Sequence, residues 1–108
     1  MKSLFHFGFF HQNEYLRLHP KLKSAMHSFP KSLSKELGLQ NIRINLISPS
    51  VIETKTLLKN SDNFKKLSQS TALGRIGKPH EVANLIEWLL SKKSSFVTGS
   101  VIPITGGR

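Results

Sequence analysis

The chain has 108 residues, with 16 Lys and Arg against 6 Asp and Glu, no cysteine and 38% hydrophobic residues. That length holds one small domain or part of a larger one, and the lack of cysteine excludes a disulfide-stapled scaffold, a thiolate metal site and a thiol nucleophile. No apolar run approaches the roughly 20 residues that a membrane-spanning helix needs, and His6 and Gly8 break the opening stretch as a signal-peptide core. The expected compartment is the reducing cytoplasm.

The formal charge of +10 raises nucleic acid as a partner. Residues 1–54 carry seven Lys/Arg and three acids (+4), residues 55–108 carry nine and three (+6), and only Lys65-Lys66 and Lys92-Lys93 are adjacent. No basic run is interleaved with aromatics, so neither specific nucleic-acid binding nor membrane association is expected; the charge reads as a solvated, Lys-rich surface.

In chain order, residues 1–10 read as a Phe-rich strand, followed by a polar loop. Leu22, Ala25, Met26, Phe29, Leu33 and Leu37 recur at spacings of three and four, which predicts an amphipathic helix over 20–37 stopped by Gly38. Pro30 removes a backbone donor, so a kink or weakened turn after residue 26 is expected. Residues 42–47 are β-branched and mostly apolar, as in a strand buried on both faces, and Ser48-Pro49-Ser50 ends it. Residues 53–70 are polar with sparse anchors at Leu57, Leu58, Phe64 and Leu67, which predicts a loosely packed, mobile flap. Pro79 and Glu81 open a helix over 79–90 whose buried stripe is Val82, Leu85, Ile86, Leu89 and Leu90. Residues 101–104 form a short strand between Gly99 and Gly106-Gly107. The alternation of strands and helices predicts an α/β unit with about three parallel strands and right-handed crossovers.

Five segments, Lys31-Ser32-Leu33-Ser34-Lys35-Glu36-Leu37, Ile42-Arg43-Ile44-Asn45, Ile47-Ser48-Pro49-Ser50 with Thr54, Gly74 to Ala83, and Phe96 to Gly107, stand in an order that resembles the C-terminal part of a short-chain dehydrogenase/reductase. The resemblance covers residues 19–108, with residues 1–10 matching the preceding strand. It implies part of a doubly wound, Rossmann-like sheet, an NAD(P) cofactor, and carbonyl reduction or alcohol oxidation. These 108 residues contain no Gly-x-x-x-Gly-x-Gly turn, the family's pyrophosphate cradle. The resemblance therefore implies a truncated segment lacking the nucleotide-binding half.

The family pairs a proton-transferring Tyr with a Lys four residues later, whose charge lowers the Tyr pKa and which holds the nicotinamide ribose. Lys23 takes the Lys position, because Glu36 and Asn45 then fall where the pattern wants Glu and Asn. His19 stands at the Tyr position; an imidazolium is a conceivable donor, but a neighbouring Lys23 charge would deplete it at neutral pH. The only tyrosine, Tyr15, is outside the motif, and the family's Ser position falls near His6. Pro49, Ile52 and Thr54 match positions that meet the nicotinamide end of the cofactor, while Ser50 replaces a turn glycine. Thr54 also reads as a helix N-cap, and no metal site is expected.

Two functions remain open: an NAD(P)-dependent oxidoreductase by family whose isolated chain is inactive, and an interaction module forming homo-oligomers or docking on a missing N-terminal half. Arg75 reads as a brace for the helix over 79–90 and Asn45 as a structural partner for backbone groups.

Overall fold

Ile44, Leu46 and Ile47 are almost wholly excluded from solvent, because their strand is the middle one of three and is flanked on both edges. The computed structural model describes residues 2–7 and 20–108, with side chains from residue 28 onward. Strand β1 (Lys2–Phe7) pairs in parallel with β2 (Ile42–Pro49), Lys2 opposite Ile42 and Phe7 opposite Ile47. β2 pairs in parallel with β3 (Val101–Ile104), Leu46 opposite Val101 and Pro49 opposite Ile104. The order β1-β2-β3 is the α/β arrangement expected from the alternation of elements.

Helix α1 (Pro20–Leu37) carries the chain from β1 to β2 and packs on β2. Helices α2 (Lys55–Leu58), α3 (Ser61–Gln69) and α4 (Pro79–Leu90) lie between β2 and β3. Parallel strands require such crossovers, since a tight hairpin reverses direction.

Several boundaries differ from the sequence reading. β1 is described over Lys2–Phe7, and residues 1 and 8–10 of the expected strand lie outside the described residues. β2 runs two residues past Ile47, since Pro49 still sits opposite Ile104. Helix α1 continues across Pro30 with no break in its assignment; the proline ring is fully buried, and apolar burial opposes the loss of one backbone bond. The α-helix ends at Leu37, immediately before Gly38, as the sequence reading has it. A 3-10 turn over Gly38–Gln40 follows it, and Asn41 takes the left-handed conformation (φ 60°) while its N–H donates to Gly38 O. On α4, Val82 and Leu89 are buried but Leu90 is 57% exposed. One residue of helix turns the side chain by about 100°, which carries Leu90 away from the face that Leu89 buries.

The core is completed by two polar side chains of β2. Arg43, 6% exposed, donates through Nη2 to Leu89 O (2.6 Å) and Ser91 O (3.4 Å), and through Nη1 to Ser94 O (3.0 Å) and Val97 O (3.1 Å). Those carbonyls belong to the end of α4 and the turn after it, where helical carbonyls lack partners. Two residues on, Asn45 Nδ2 donates to Val97 O (3.1 Å) and its Oδ1 accepts from Ser100 N (3.2 Å). This is the structural role expected of Asn45. Thr98 Oγ1 accepts from Ile44 N (3.1 Å), and Ser94 Oγ lies 2.9 Å from Trp88 O and 3.0 Å from Leu89 O. At Gly99 (φ +72°) a Cβ would lie 2.6 Å from Ser34 Oγ of α1, so the approach to β3 requires glycine in both conformation and space.

Because one guanidinium satisfies carbonyls from four residues, Arg43→Met should lower the unfolding free energy by ~3 kcal/mol or more in urea denaturation, and Arg43→Lys should recover less than half of it. A loss below ~1 kcal/mol would mean that the turn after α4 holds itself.

Candidate functional site

β2 and β3 finish side by side, and the carboxyl ends of parallel strands are where open α/β sheets form ligand crevices. Ser50 N donates to Ile104 O (3.2 Å), joining the two ends. The chain then runs against Gly77: Gly77 N donates to Val51 O (3.0 Å) and Glu53 N to Gly77 O (2.8 Å), bridging Ile52 and Gly77 in parallel. Glu53 Oε2 meets Lys78 Nζ at 2.9 Å, beside the start of α4. Since Val51 and Glu53 supply the bridge, the N–H and C=O of Ile52 point away from Gly77. Thr54 follows in extended conformation and caps α2, its Oγ1 accepting from Leu57 N (3.2 Å) while its own hydrogen stays available to a ligand.

A groove of about 660 Å³ opens beside this segment. Val51, Ile52, Leu57 and Leu67 line it from the strand end and the flap, and Val82, Ala83 and Ile86 from α4; Ser50, Thr54, Asn63 and Arg108 give it polar atoms. Its size is that of a small-molecule site, apolar with a few polar groups. The flap helices α2 and α3 contain no buried residue, as their sparse apolar anchors predicted.

Of the sequence-derived candidates, Pro49 is buried at the end of β2, and Ile52 and Thr54 line the groove. Ser50 fits its turn without a left-handed backbone, since Asn41 is the one non-glycine with positive φ among the described residues. Lys23 lies in the first turns of α1. The C-terminal half of α1 sits at the start of β3, where Gly99 meets Ser34. The topology thus brings the first turns of α1, with position 23, to the opposite end of the sheet, the end that carries Pro49 and Ile104. His19, Tyr15 and residues 8–18 lie outside the described residues. The groove-lining use of Ala83 and Ile86 was not foreseen; the one available signal was a small Ala83 beside the apolar stripe. Among the described residues no group of His, Asp and Glu is arranged to hold a metal ion, and no helix is long and apolar enough to cross a membrane.

Arg75 takes the bracing role expected of it. Its Nη1 and Nη2 form a paired contact with Glu81 Oε2 (2.9 Å) and Oε1 (2.7 Å). Glu81 Oε2 also accepts from Lys78 N (2.7 Å), which caps α4. The Arg75 hydrogen bond first, then the Lys78 N–H, hold the Glu81 carboxyl at about 2, below its ordinary 4.5, and the same contact raises Arg75. A carboxyl depressed on folding contributes stability that is fully present above pH 4.5 and lost as the pH falls toward 2. Glu81→Gln should therefore flatten the decline in thermal stability across that window, followed by circular dichroism, while lowering stability at pH 7. An unchanged acid limb would show that this pair does not couple to folding.

The sequence model of the family described as Enoyl-(Acyl carrier protein) reductase matches residues 13–108. The 3-oxoacyl-[acyl-carrier-protein] reductase FabG of Chlamydia muridarum is 42% identical over 86 residues, 79% of this chain and 35% of that protein. Among solved structures, a 4-hydroxyisoleucine dehydrogenase complexed with NADH superposes with a TM-score of 0.70 at 35% identity, over 79% of this chain and 36% of that one. A short-chain dehydrogenase/reductase of Brucella melitensis does so with a TM-score of 0.75 at 32% identity, over 97% and 44%. The chain spans about a third of the length of the curated relatives it matches. With this match added to the parallel sheet and the crevice at its carboxyl end, the chain belongs to the short-chain dehydrogenase/reductase family of oxidoreductases.

Proposed function

We propose that this chain is the substrate-side segment of an NAD(P)-dependent oxidoreductase that interconverts a carbonyl and an alcohol, and that it is inactive by itself. The observation that carries the reading is the pairing, at one end of the sheet, of the Ile52 backbone N–H and the Thr54 hydroxyl beside the groove, with position 23 in the first turns of α1. Two donors on neighbouring residues suit a carboxamide oxygen, so these residues fit the nicotinamide end of the cofactor. NAD(P), when bound, supplies or accepts the hydride. Ile52 and Thr54 would orient the carboxamide, Pro49 would shape the turn beneath it, and the Lys23 ammonium would hold ribose hydroxyls.

The pyrophosphate end has no counterpart in these residues, because the glycine-rich turn that admits backbone N–H groups to a phosphate is not among them. His19, standing where the family has its proton-transferring Tyr, adds a second obstacle. The relatives' names speak of 3-oxoacyl-[acyl-carrier-protein] and of 4-hydroxyisoleucine; for this chain the reading stops at a carbonyl or alcohol that fits the groove.

A second reading, an interaction module pairing with a further copy or with a nucleotide-binding half, is favoured by one surface. Trp88 (41% exposed), Leu90 (57%) and Phe96 (101%) leave apolar area in solvent at the end of α4 and in the turn after it.

Titrating the chain with NADH should give no saturable fluorescence enhancement up to low millimolar concentration. His19→Tyr alone should restore no reductase activity, whereas the same change in a chimera carrying a family nucleotide-binding half and its Ser should give turnover. Saturable NADH binding, or turnover from the single substitution, would overturn the claim that the nucleotide-binding half limits activity.

A further inference from the structure

The flap joins the rest of the molecule through two feet. The upstream foot is the Val51–Glu53 segment bridged to Gly77. The downstream foot is the turn over residues 71–75. Thr71 there is 7% exposed; its Oγ1 accepts from Arg75 N (3.1 Å) and donates toward Arg75 O (2.9 Å) or Ser68 O (3.1 Å). Between the feet, α2 and α3 bury no residue. The flap's position is therefore set at its feet rather than by packing along its length.

The downstream foot rests against the turn that ends β3. Leu73 N donates to Gly106 O (3.1 Å), and Gly107 N donates to Thr105 Oγ1 (3.2 Å). Gly106 and Gly107 are both left-handed, at φ +63° and +84°. A Cβ on Gly106 would lie 3.4 Å from Thr71 Cβ, and one on Gly107 only 2.6 Å from Ala72 Cβ, closer than side-chain carbons approach. Gly107 thus admits the foot to a distance that no other residue permits, Gly106 is favoured by its left-handed backbone, and Arg108, immediately after them, lines the groove.

We propose that the Gly106-Gly107 turn is a positioning clamp for the flap: by seating Thr71–Leu73 against the end of β3, it fixes the separation of the flap from α4 and hence the width of the groove. Gly107 acts through Ala72 and touches no ligand itself. The mechanics stand apart from the proposed oxidoreductase function, and only the use of the groove rests on that reading.

Hydrogen exchange on the full chain tests the clamp without any activity. Gly107→Ala should reduce protection at least tenfold at slow-exchanging amides of residues 61–73, with the amides of β2 and of the middle of α4 changed less than twofold. Ala72→Gly added to Gly107→Ala removes the opposing carbon and should restore at least half of the lost protection on a logarithmic scale. Ala72→Gly alone should change it little.

Unchanged protection in Gly107→Ala would overturn the proposal, as would a localised loss that Ala72→Gly leaves unrestored. A loss spread evenly through β2 and α4, restored or not, would make the turn a general staple of the fold, and the proposal would fail. Saturable NADH binding by the chain alone, or a chimera without turnover, bears on the oxidoreductase reading and leaves the clamp standing, so the two ideas fall separately.

Discussion

Carbonyl oxygens of Leu89, Ser91, Ser94 and Val97 converge on one guanidinium, and the register of the sheet follows from that meeting. Arg43 sits on the central strand while its acceptors lie at the end of α4 and just before β3. Once they are joined, Asn45, two residues along the same face, falls opposite Val97 and Ser100, and the pairing of Leu46 with Val101 is set. A strand slipped by one residue would turn both polar side chains to the other face of the sheet and leave buried carbonyls unpaired. The approach of Gly99 to Ser34 brings α1 into the same arrangement. The central strand, the end of α4 and the approach to the final strand are thus held by polar contacts that apolar burial makes strong.

The site is built in the opposite manner. Ile44, Leu46 and Leu89 are nearly inaccessible, whereas α2 and α3, which line the groove, bury no residue. A rigid sheet end presents Ile52 and Thr54 at fixed points, and a lightly packed wall faces them. That division suits a family whose members use one cofactor geometry on different substrates, because the wall varies without disturbing the strands.

The order of elements was legible in the sequence because each carries a local signal: β-branched residues at Ile42–Ile47, the Pro79 and Glu81 start of α4, and the glycines around β3. The roles of Asn45 and Arg75 were legible too, through the motifs in which they stand. Arg43 was read only as part of an apolar strand. Its purpose depends on carbonyls some fifty residues away, and no local pattern announces such partners. The groove was hidden for the same reason, since Leu67 and Ile86 become neighbours only after the chain has folded back. Leu90 misled because an apolar residue at the end of an amphipathic stripe need not face inward, and the left-handed turn at Asn41, past the helix end before Gly38, went unread. His19 and Lys23 rest on spacing, with His19 outside the described residues.

Pro103 sets the direction in which this sheet can be extended. Ser100 and Ile104 hand their carbonyls to Leu46 and Ser50, so alternate residues of β3 face β2, and Pro103 falls on the face turned outward. That outer margin thus lacks its central amide donor, and another strand arriving there would find a gap where a ladder bond belongs. The margin of β1 bears no such block, for no residue from Lys2 to Phe7 is a proline. A strand added next to β3 would therefore meet a missing donor that it would not meet next to β1.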